Sequence, residues 1–374
     1  MLTADDRLWM ARAVKLAEKG LYTTSPNPRV GCVLVRDGVV LAEGWHQRAG
    51  EDHAEVQALL SAGTQGVELE GSTAYVTLEP CSHTGKTPPC VSALIEAGIR
   101  RVVYGMQDPN PVVAGNGLAQ LREAGIEVEG PLLENSCRVL NPGFIKRMQQ
   151  GRPFVRCKMA MSLDGRTAME SGESKWITGP EARRDVQRLR ARSCAIITGI
   201  GTVLTDDPAM TVREKDWVSA DHAFPSRQPL RVVLDPWNRL LGEHYAILQG
   251  SVLVVSVEPR IEPFSAALQA QGVRSLCLPS DDGQIDLQAL LAHLATAYQC
   301  NEVLVEAGAT LAGSFLSQGL LDELVLYMAP CLMGSSARPL FLMPFAEMHQ
   351  KRALQIQDIR AVGDDWRITA IMAD

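Results

Sequence analysis

His53-Ala54-Glu55, followed further along by Pro80-Cys81-Ser82-His83-Thr84-Gly85-Lys86-Thr87-Pro88-Pro89-Cys90, decides how the rest of this chain is read. One imidazole and two thiols can hold a zinc ion and leave its fourth position open to water, whereas a structural zinc is closed by four protein ligands. Glu55 stands two residues beyond His53, placed to move protons without occupying the metal. Residues 54–62 have helical composition and stop before Gly63, which puts His53 and Glu55 in or just before a first helical turn. Residues 73–78 form a strand candidate leading into Glu79-Pro80-Cys81. Pro88-Pro89 precede a helical run from Cys90 to Ala97, and proline suits a helix opening because the first backbone donors lack intrahelical partners. At that position the helix dipole favours the Cys90 thiolate that zinc requires.

An H-x-E element with a later P-C-x-x-C accompanies zinc-dependent deamination of nucleobases. Here eight residues separate Cys81 from Cys90, a longer loop than that pattern has. His83 lies inside it and could supply a fourth ligand, so a closed structural zinc stays open as a rival. His46, His222, His244, His293 and His349 lack such company and read as ordinary structural histidines. The seven cysteines other than Cys81 and Cys90 show no metal-type spacing and read as reduced structural residues.

Working outward, Thr3 and Asp6 form a capping box for a helix carrying Leu8, Ala11, Val14 and Ala17, with Gly20 as its C-cap. Ser25-Pro26-Asn27-Pro28-Arg29 reads as a loop, and two strands, 30–35 and 39–43, join at the hairpin dipeptide Asp37-Gly38. A strand at 101–104, a helix near 117–124 and a strand near 126–128 complete a compact α/β domain. The polar stretch 145–153 marks a boundary, giving domains 1–148 and 149–374. In the second, strands at 154–160, 194–198, 230–234, 252–257, 302–306 and 323–328 alternate with helices at 180–192, 263–270, 286–298 and 309–318. Ile197-Thr198-Gly199-Ile200-Gly201-Thr202 lacks the third glycine of a dinucleotide-binding turn. It and Val305-Glu306-Ala307-Gly308, where a strand meets a helix N-terminus, still permit close approach of a phosphate.

Length and composition set limits. At 374 residues the chain has room for two or three domains, and 46% hydrophobic with 21% charged residues is ordinary for a globular protein. A net charge of −7 argues against a nucleic-acid partner. No apolar run approaches the ~18 residues of a membrane span, and the acidic start lacks the features of a signal peptide, so no membrane partner and a cytoplasmic location are expected.

Thr24-Ser25-Pro26-Asn27-Pro28-Arg29-Val30-Gly31, His53-Ala54-Glu55 and the Pro80–Cys90 stretch resemble the bifunctional riboflavin-biosynthesis deaminase/reductase family. So do Lys158-Met159-Ala160-Met161-Ser162-Leu163-Asp164-Gly165-Arg166-Thr167-Ala168, Ser174-Lys175-Trp176-Ile177-Thr178, Asp206-Asp207-Pro208 and Glu306-Ala307-Gly308, so the resemblance spans essentially the whole chain. It implies an α/β protein with an N-terminal cytidine-deaminase-like three-layer domain and a C-terminal dihydrofolate-reductase-like domain. It implies one zinc per chain, NADPH and a phosphorylated ribosylaminopyrimidine substrate, and a homo-oligomer is expected. His53, Cys81 and Cys90 would hold the metal and Glu55 would be catalytic. By match, Asn27, His83, Lys86, Asp108 and Asn110 would contact the deaminase substrate. Ala160, Trp176, Thr202, Asp206, Gly308, Ala309, Thr310, Leu311, Ala312, Gly313 and Ser314 would contact the cofactor. Ser174, Arg190, Met210, Arg213 and Glu306 would contact the reductase substrate, with Arg190 and Arg213 as phosphate clamps and Lys158 as an electrostatic aid. Arg183, Arg184, Arg188 and Arg192 read as a solvated helix face. A different deaminase, acting on cytidine or tRNA with a second half lost to catalysis, is the alternative.

Overall fold

A computed structural model describes residues 2–82, 89–111, 113–213, 216, 227–241, 244–259, 264–280 and 283–373. Two compact units divide the chain, Met1–Arg152 and Pro153–Asp374.

In the first unit five strands form a sheet in the order β2-β1-β3-β4-β5. These are β1 (Gly31–Arg36), β2 (Val39–Trp45), β3 (Thr73–Val76), β4 (Arg101–Tyr104) and β5 (Glu127–Glu129). β1 runs antiparallel to both β2 and β3, while β3, β4 and β5 are mutually parallel. The β1–β2 turn uses Asp37 at φ 52° and Gly38 at φ 74°, the left-handed pair that a tight hairpin demands.

Helices α1 (Ala4–Glu18) and α2 (Ala54–Thr64) cover opposite faces of this sheet. A Cβ at Gly31 would meet the α1 backbone, 2.0 Å from the Ala13 oxygen, and one at Gly44 would meet α2, 2.3 Å from the Ala54 oxygen. Gly44 pairs with Cys32, the residue after Gly31, so the two glycines point to opposite sides. The result is a helix–sheet–helix sandwich.

The Thr3–Asp6 capping box forms as expected, and the Asp6 carboxylate also accepts from Tyr75 Oη at 2.7 Å and from Arg101 at 2.8 Å, tying α1 to β3 and β4. The buried stripe of α1 is Met10, Ala13, Leu16 and Ala17; Leu8 is exposed, and Lys19 rather than Gly20 caps the end. Helices α3 (Cys90–Glu96), α4 (Asn116–Glu123), α5 (Glu134–Leu140) and α6 (Pro142–Gln150) complete the unit. The polar stretch read as a boundary is helical through Gln150, and Gly151 ends it at φ 67°.

The second unit is a nine-stranded sheet in the order β11-β10-β9-β8-β12-β6-β13-β16-β15. Seven strands are parallel: β6 (Phe154–Ser162), β8 (Ala195–Gly199), β9 (Leu230–Leu234), β10 (Val252–Ser256), β11 (Val273–Cys277), β12 (Glu302–Val305) and β13 (Glu323–Ala329). An antiparallel hairpin, β15 (Leu354–Val362) and β16 (Asp365–Met372), extends it beyond β13, while β7 (Arg166–Ala168) and β14 (Arg338–Pro339) pair separately.

Alternate residues of the parallel strands feed two cores. Ile197, Val232 and Val303 pack with α10 (Leu287–Ala297) and α11 (Ala309–Ser317). Ile196, Val233 and Leu304 pack with α7 (Pro180–Arg192) and α9 (Phe264–Ala270). A short helix α8 (Ile200–Asp206) follows β8 directly. The chain builds β8 to β11 outward, then returns to insert β12 between β8 and β6. In open α/β sheets such a reversal leaves a crevice at the carboxyl ends of the strands. Among the described residues no helix is long and apolar enough to cross a membrane.

Candidate functional site

In the first unit the strand–loop–helix passage from β3 to α3 brings two thiols against the start of α2. His53 is the N-cap of α2 and Cys90 the first residue of α3. His53 Nδ1 lies 3.6 Å from Cys81 Sγ and 3.4 Å from Cys90 Sγ, and the three donors fall within 4.8 Å of one another. Donors bound to one zinc at tetrahedral angles, with Zn–S near 2.3 Å and Zn–N near 2.05 Å, stand about 3.6 Å apart, so the set fits that ion. The Cys90 amide donates to Cys81 Sγ at 3.3 Å, and the hydrogen bond from the Cys90 thiol, more than His53, holds Cys81 as a thiolate with its pKa down at about 4. Cys90 keeps the shared proton because it donates to Cys81 and is buried, which pushes its pKa up; a cation would displace that proton.

Glu55 sits in the first turn of α2 and is buried. Burial, reinforced by the Cys81 charge, raises its carboxyl to about 7. A carboxyl titrating there can both accept and return a proton near neutral pH.

His46, which the sequence offers as a structural histidine, belongs to this neighbourhood. Its ring meets His53 edge-on at 5.2 Å. Nδ1 lies 3.0 Å from the Asp52 carbonyl, which can only accept, so Nδ1 carries the hydrogen. Burial lowers the pKa of His46, so the ring is neutral and Nε2 accepts from Asn27 Nδ2 at 3.1 Å. That bond turns the Asn27 carbonyl oxygen away from the ring. A lone histidine directly after a hairpin strand carries no motif to reveal this.

Asp108 and Asn110 share one turn, the Asn110 amide donating to Asp108 Oδ1 at 2.8 Å. It is fastened to the metal-site strand by Glu79, whose carboxylate accepts from the amides of Asp108, Gly115 and Gly117 at 3.2, 3.0 and 3.0 Å. His83 and Lys86 lie outside the described residues.

In the second unit a cleft of about 1130 Å³ opens at the carboxyl ends of β6, β8 and β12. Ala160, Ser174, Trp176, Arg190, Thr202, Asp206, Met210, Arg213, Glu306 and the segment 308–311 all line it, as the motifs suggest. Three expected contacts do not. Ala312 and Gly313 are buried inside α11, and the Ser314 hydroxyl is turned back to the Thr310 carbonyl at 3.1 Å, so of 308–314 only 308–311 line the cleft.

Arg190 lines the cleft beside Glu306. Its Nε and Nη2 donate to the two Glu306 oxygens at 2.7 and 3.0 Å, and Nη1 donates to the Thr211 carbonyl. In this arrangement the guanidinium fork faces the Glu306 carboxylate. Burial would raise the Glu306 pKa, but the Arg190 charge and hydrogen bonds, with Lys158, outweigh it and hold the carboxylate ionised. Lys158 lines the cleft with its pKa lowered by burial, and Arg213 pairs with Asp216 at 2.5 Å. Arg183, read as part of a solvated face, instead lines the cleft with its guanidinium 4.6 Å over the Trp176 ring.

Comparison with known proteins settles the kinship. Residues 153–368 match the RibD C-terminal domain family, and residues 3–106 match the cytidine and deoxycytidylate deaminase zinc-binding region. The Riboflavin biosynthesis protein RibD of Escherichia coli is 50% identical over 366 residues, covering 96% of this chain and 97% of that protein. The chain belongs to the RibD family.

An Acinetobacter baumannii RibD structure superposes with a TM-score of 0.89 at 46% identity, covering 99% of both chains. A Thermotoga maritima structure, a diaminohydroxyphosphoribosylaminopyrimidine deaminase/5-amino-6-(5-phosphoribosylamino)uracil reductase, superposes at 0.85 with 34% identity, again over 99% of both. RibD membership makes the chain a bifunctional enzyme of riboflavin biosynthesis, a zinc-dependent deaminase joined to an NADPH-dependent reductase. The two folds are accordingly cytidine-deaminase-like and dihydrofolate-reductase-like.

Proposed function

We propose that this chain hydrolyses the amino group of 2,5-diamino-6-ribosylamino-4(3H)-pyrimidinone 5′-phosphate at His53, Cys81 and Cys90. It then reduces the ribosyl group to ribityl in the cleft of the second unit. The observation that carries the first assignment is a buried carboxyl, Glu55 in the first turn of α2, beside three donors that lie within 4.8 Å of one another.

Zinc held by these donors supplies a water acidified to near neutrality. Glu55 would take the two protons of the attacking water in turn, passing one to the pyrimidine ring and one to the leaving amine, while the water oxygen bonds the ring carbon, the C–N bond breaks, ammonia departs and the carbon keeps a carbonyl. Asn27, oriented by His46, offers an acceptor to the substrate, and the Asp108–Asn110 turn offers further polar contacts.

The cleft of about 1130 Å³ exceeds the ~300–1,000 Å³ of ordinary single-ligand pockets, so cofactor and substrate fit together. NADPH bound there supplies the hydride. The amides at the start of α11 suit its phosphates, Trp176 gives an exposed ring, and Lys158 and the Arg190–Glu306 pair face the sugar.

Self-association and a reducing, cytoplasmic setting complete the proposal. Leu354, Ile356 and Ile359 of β15 share a face with Trp366, Ile368 and Met372 of β16, and the first four named are at least 44% exposed. The hairpin's other face carries Asp365 and Arg367, which bond the Gly179 amide and Asp185. An outward apolar face on an edge hairpin suits a second copy. All nine cysteines are free, as a reducing compartment would keep them.

The test incubates purified protein with the diaminopyrimidinone ribosyl phosphate, with and without NADPH. Ammonia release without NADPH, followed by cofactor oxidation on its addition, is the expected result. Ammonia without oxidation would leave a deaminase alone, and neither would refute the proposal.

A further inference from the structure

We infer that Arg183 is a phosphate-binding residue of the second unit's cleft, a role that rests on the reductase reading given above. On α7, positions 183, 186, 187 and 190 form one stripe, and all four residues line the cleft. Arg183 and Arg190 therefore face the same space, two helical turns and about 10 Å apart along the axis.

Their circumstances differ. Arg190 is bound through both prongs to Glu306. Arg183 has no carboxylate partner among the described residues: its hydrogen bond goes to the Thr178 carbonyl, and one face of its guanidinium covers the Trp176 indole. The acidic residues nearest in sequence are engaged elsewhere. Glu181 pairs with Arg184, and Asp185 accepts from Tyr327 and Arg367.

A guanidinium stacked on an indole is oriented without losing its in-plane N–H groups, and those groups match a phosphate. Stacking alone would account for the contact with Trp176, but a bare pair of this kind at an exposed site is a weak interaction. The charge of the cleft favours the stronger role. Lys158, Lys175, Arg183, Arg190, Arg213 and Arg338 line it against Asp206, Asp207 and Glu306 alone, so cations outnumber carboxylates six to three. Of these cations Lys175, Arg190 and Arg213 already hold carboxylates. Both ligands of a reductase of this kind bring phosphates: the sugar monoester of the substrate, and the pyrophosphate and 2′-phosphate of the cofactor.

The test uses the full chain carrying Arg183→Ala and, separately, Arg183→Lys, with ammonia release from the first unit as a check on folding. Initial rates of reduction are measured against NADPH, NADH and the deaminated ribosyl phosphate. Arg183→Ala is expected to raise at least one KM about ten-fold or more while kcat changes less, and Arg183→Lys to recover part of the loss. A rise with NADPH but not NADH assigns the 2′-phosphate, a rise with both the pyrophosphate, and a rise in the substrate KM the sugar phosphate. If every KM of Arg183→Ala stays within two-fold of the unaltered chain, or only kcat falls, the inference is overturned. If the unaltered chain itself oxidises no NADPH, the reductase reading fails instead.

Discussion

Glu79 and Gly117 are locked together: the Glu79 carboxylate accepts the Gly117 amide at 3.0 Å, and any Cβ at Gly117 would stand 2.1 Å from the neighbouring Pro80 oxygen. Two residues before Cys81, this buried carboxylate fixes how the turn of Asp108 and Asn110 sits against the metal strand. Glu79→Gln keeps the size but sets an amide NH2 against backbone donors. It is expected to cost about 1–3 kcal/mol in stability and to raise the deaminase KM about ten-fold. Zinc content and NADPH oxidation on deaminated substrate should stay unchanged, and an unaltered deaminase KM would refute the role.

Glu55→Gln should lower the turnover of ammonia release by a factor of about 10² to 10⁴ while one zinc per chain is retained. The pH dependence of metal-free stability gives an independent readout. Burial raises the folded-state pKa from its ordinary 4.5 to about 7, so between those values the folded form binds more proton than the unfolded chain. Stability from this group is therefore full below 4.5 and is lost as pH rises towards 7. Metal-free wild type should lose about 3 kcal/mol across that window relative to Glu55→Gln, as read by denaturant melts at several pH values.

Arg156 in β6 lies at 1% exposure, bonded to Glu302 and Glu323, with Arg192 sharing Glu302 at 3.0 Å. Arg156→Ala takes a buried cation from Glu323 and leaves Glu302 with Arg192 alone, and should cost about 3–5 kcal/mol in chemical denaturation. The exposed pair Arg12–Glu43 offers a contrast, and Arg12→Ala should change stability by less than about 1 kcal/mol.

The apolar face of the β15–β16 hairpin predicts a change in assembly. Ile356→Lys with Ile359→Lys should shift the mass measured by light scattering down to a single chain without loss of secondary structure. A wild-type chain that already runs as a monomer would remove the basis for that face as a self-association site.

Much of the metal centre was legible because its signals are local. A helix N-cap supplies His53, the next turn Glu55, a strand end Cys81 and a helix start Cys90, each marked by composition or proline. Partners chosen by tertiary packing were not legible. Nothing near Arg190 in sequence announces Glu306, and nothing near Arg183 announces Trp176 as a stacking surface rather than open solvent. Of the stripe that spacing predicts for α1 only Ala17 is buried, because Met10 and Ala13 are no more hydrophobic as a set than Leu8 and Ala11; the Gly31 contact decides which side faces the sheet. Strands β15 and β16 escaped because their apolar residues face outward, against the rule that alternation marks a core.

The pairing of a low-pKa thiolate at Cys81 with the Cys90 thiol has a consequence for handling. Once the cation is stripped, two sulfurs of that kind are set up for air oxidation. A preparation chelated without a reducing agent should refuse fresh zinc until dithiothreitol is added, so storage conditions rather than sequence would set its apparent activity.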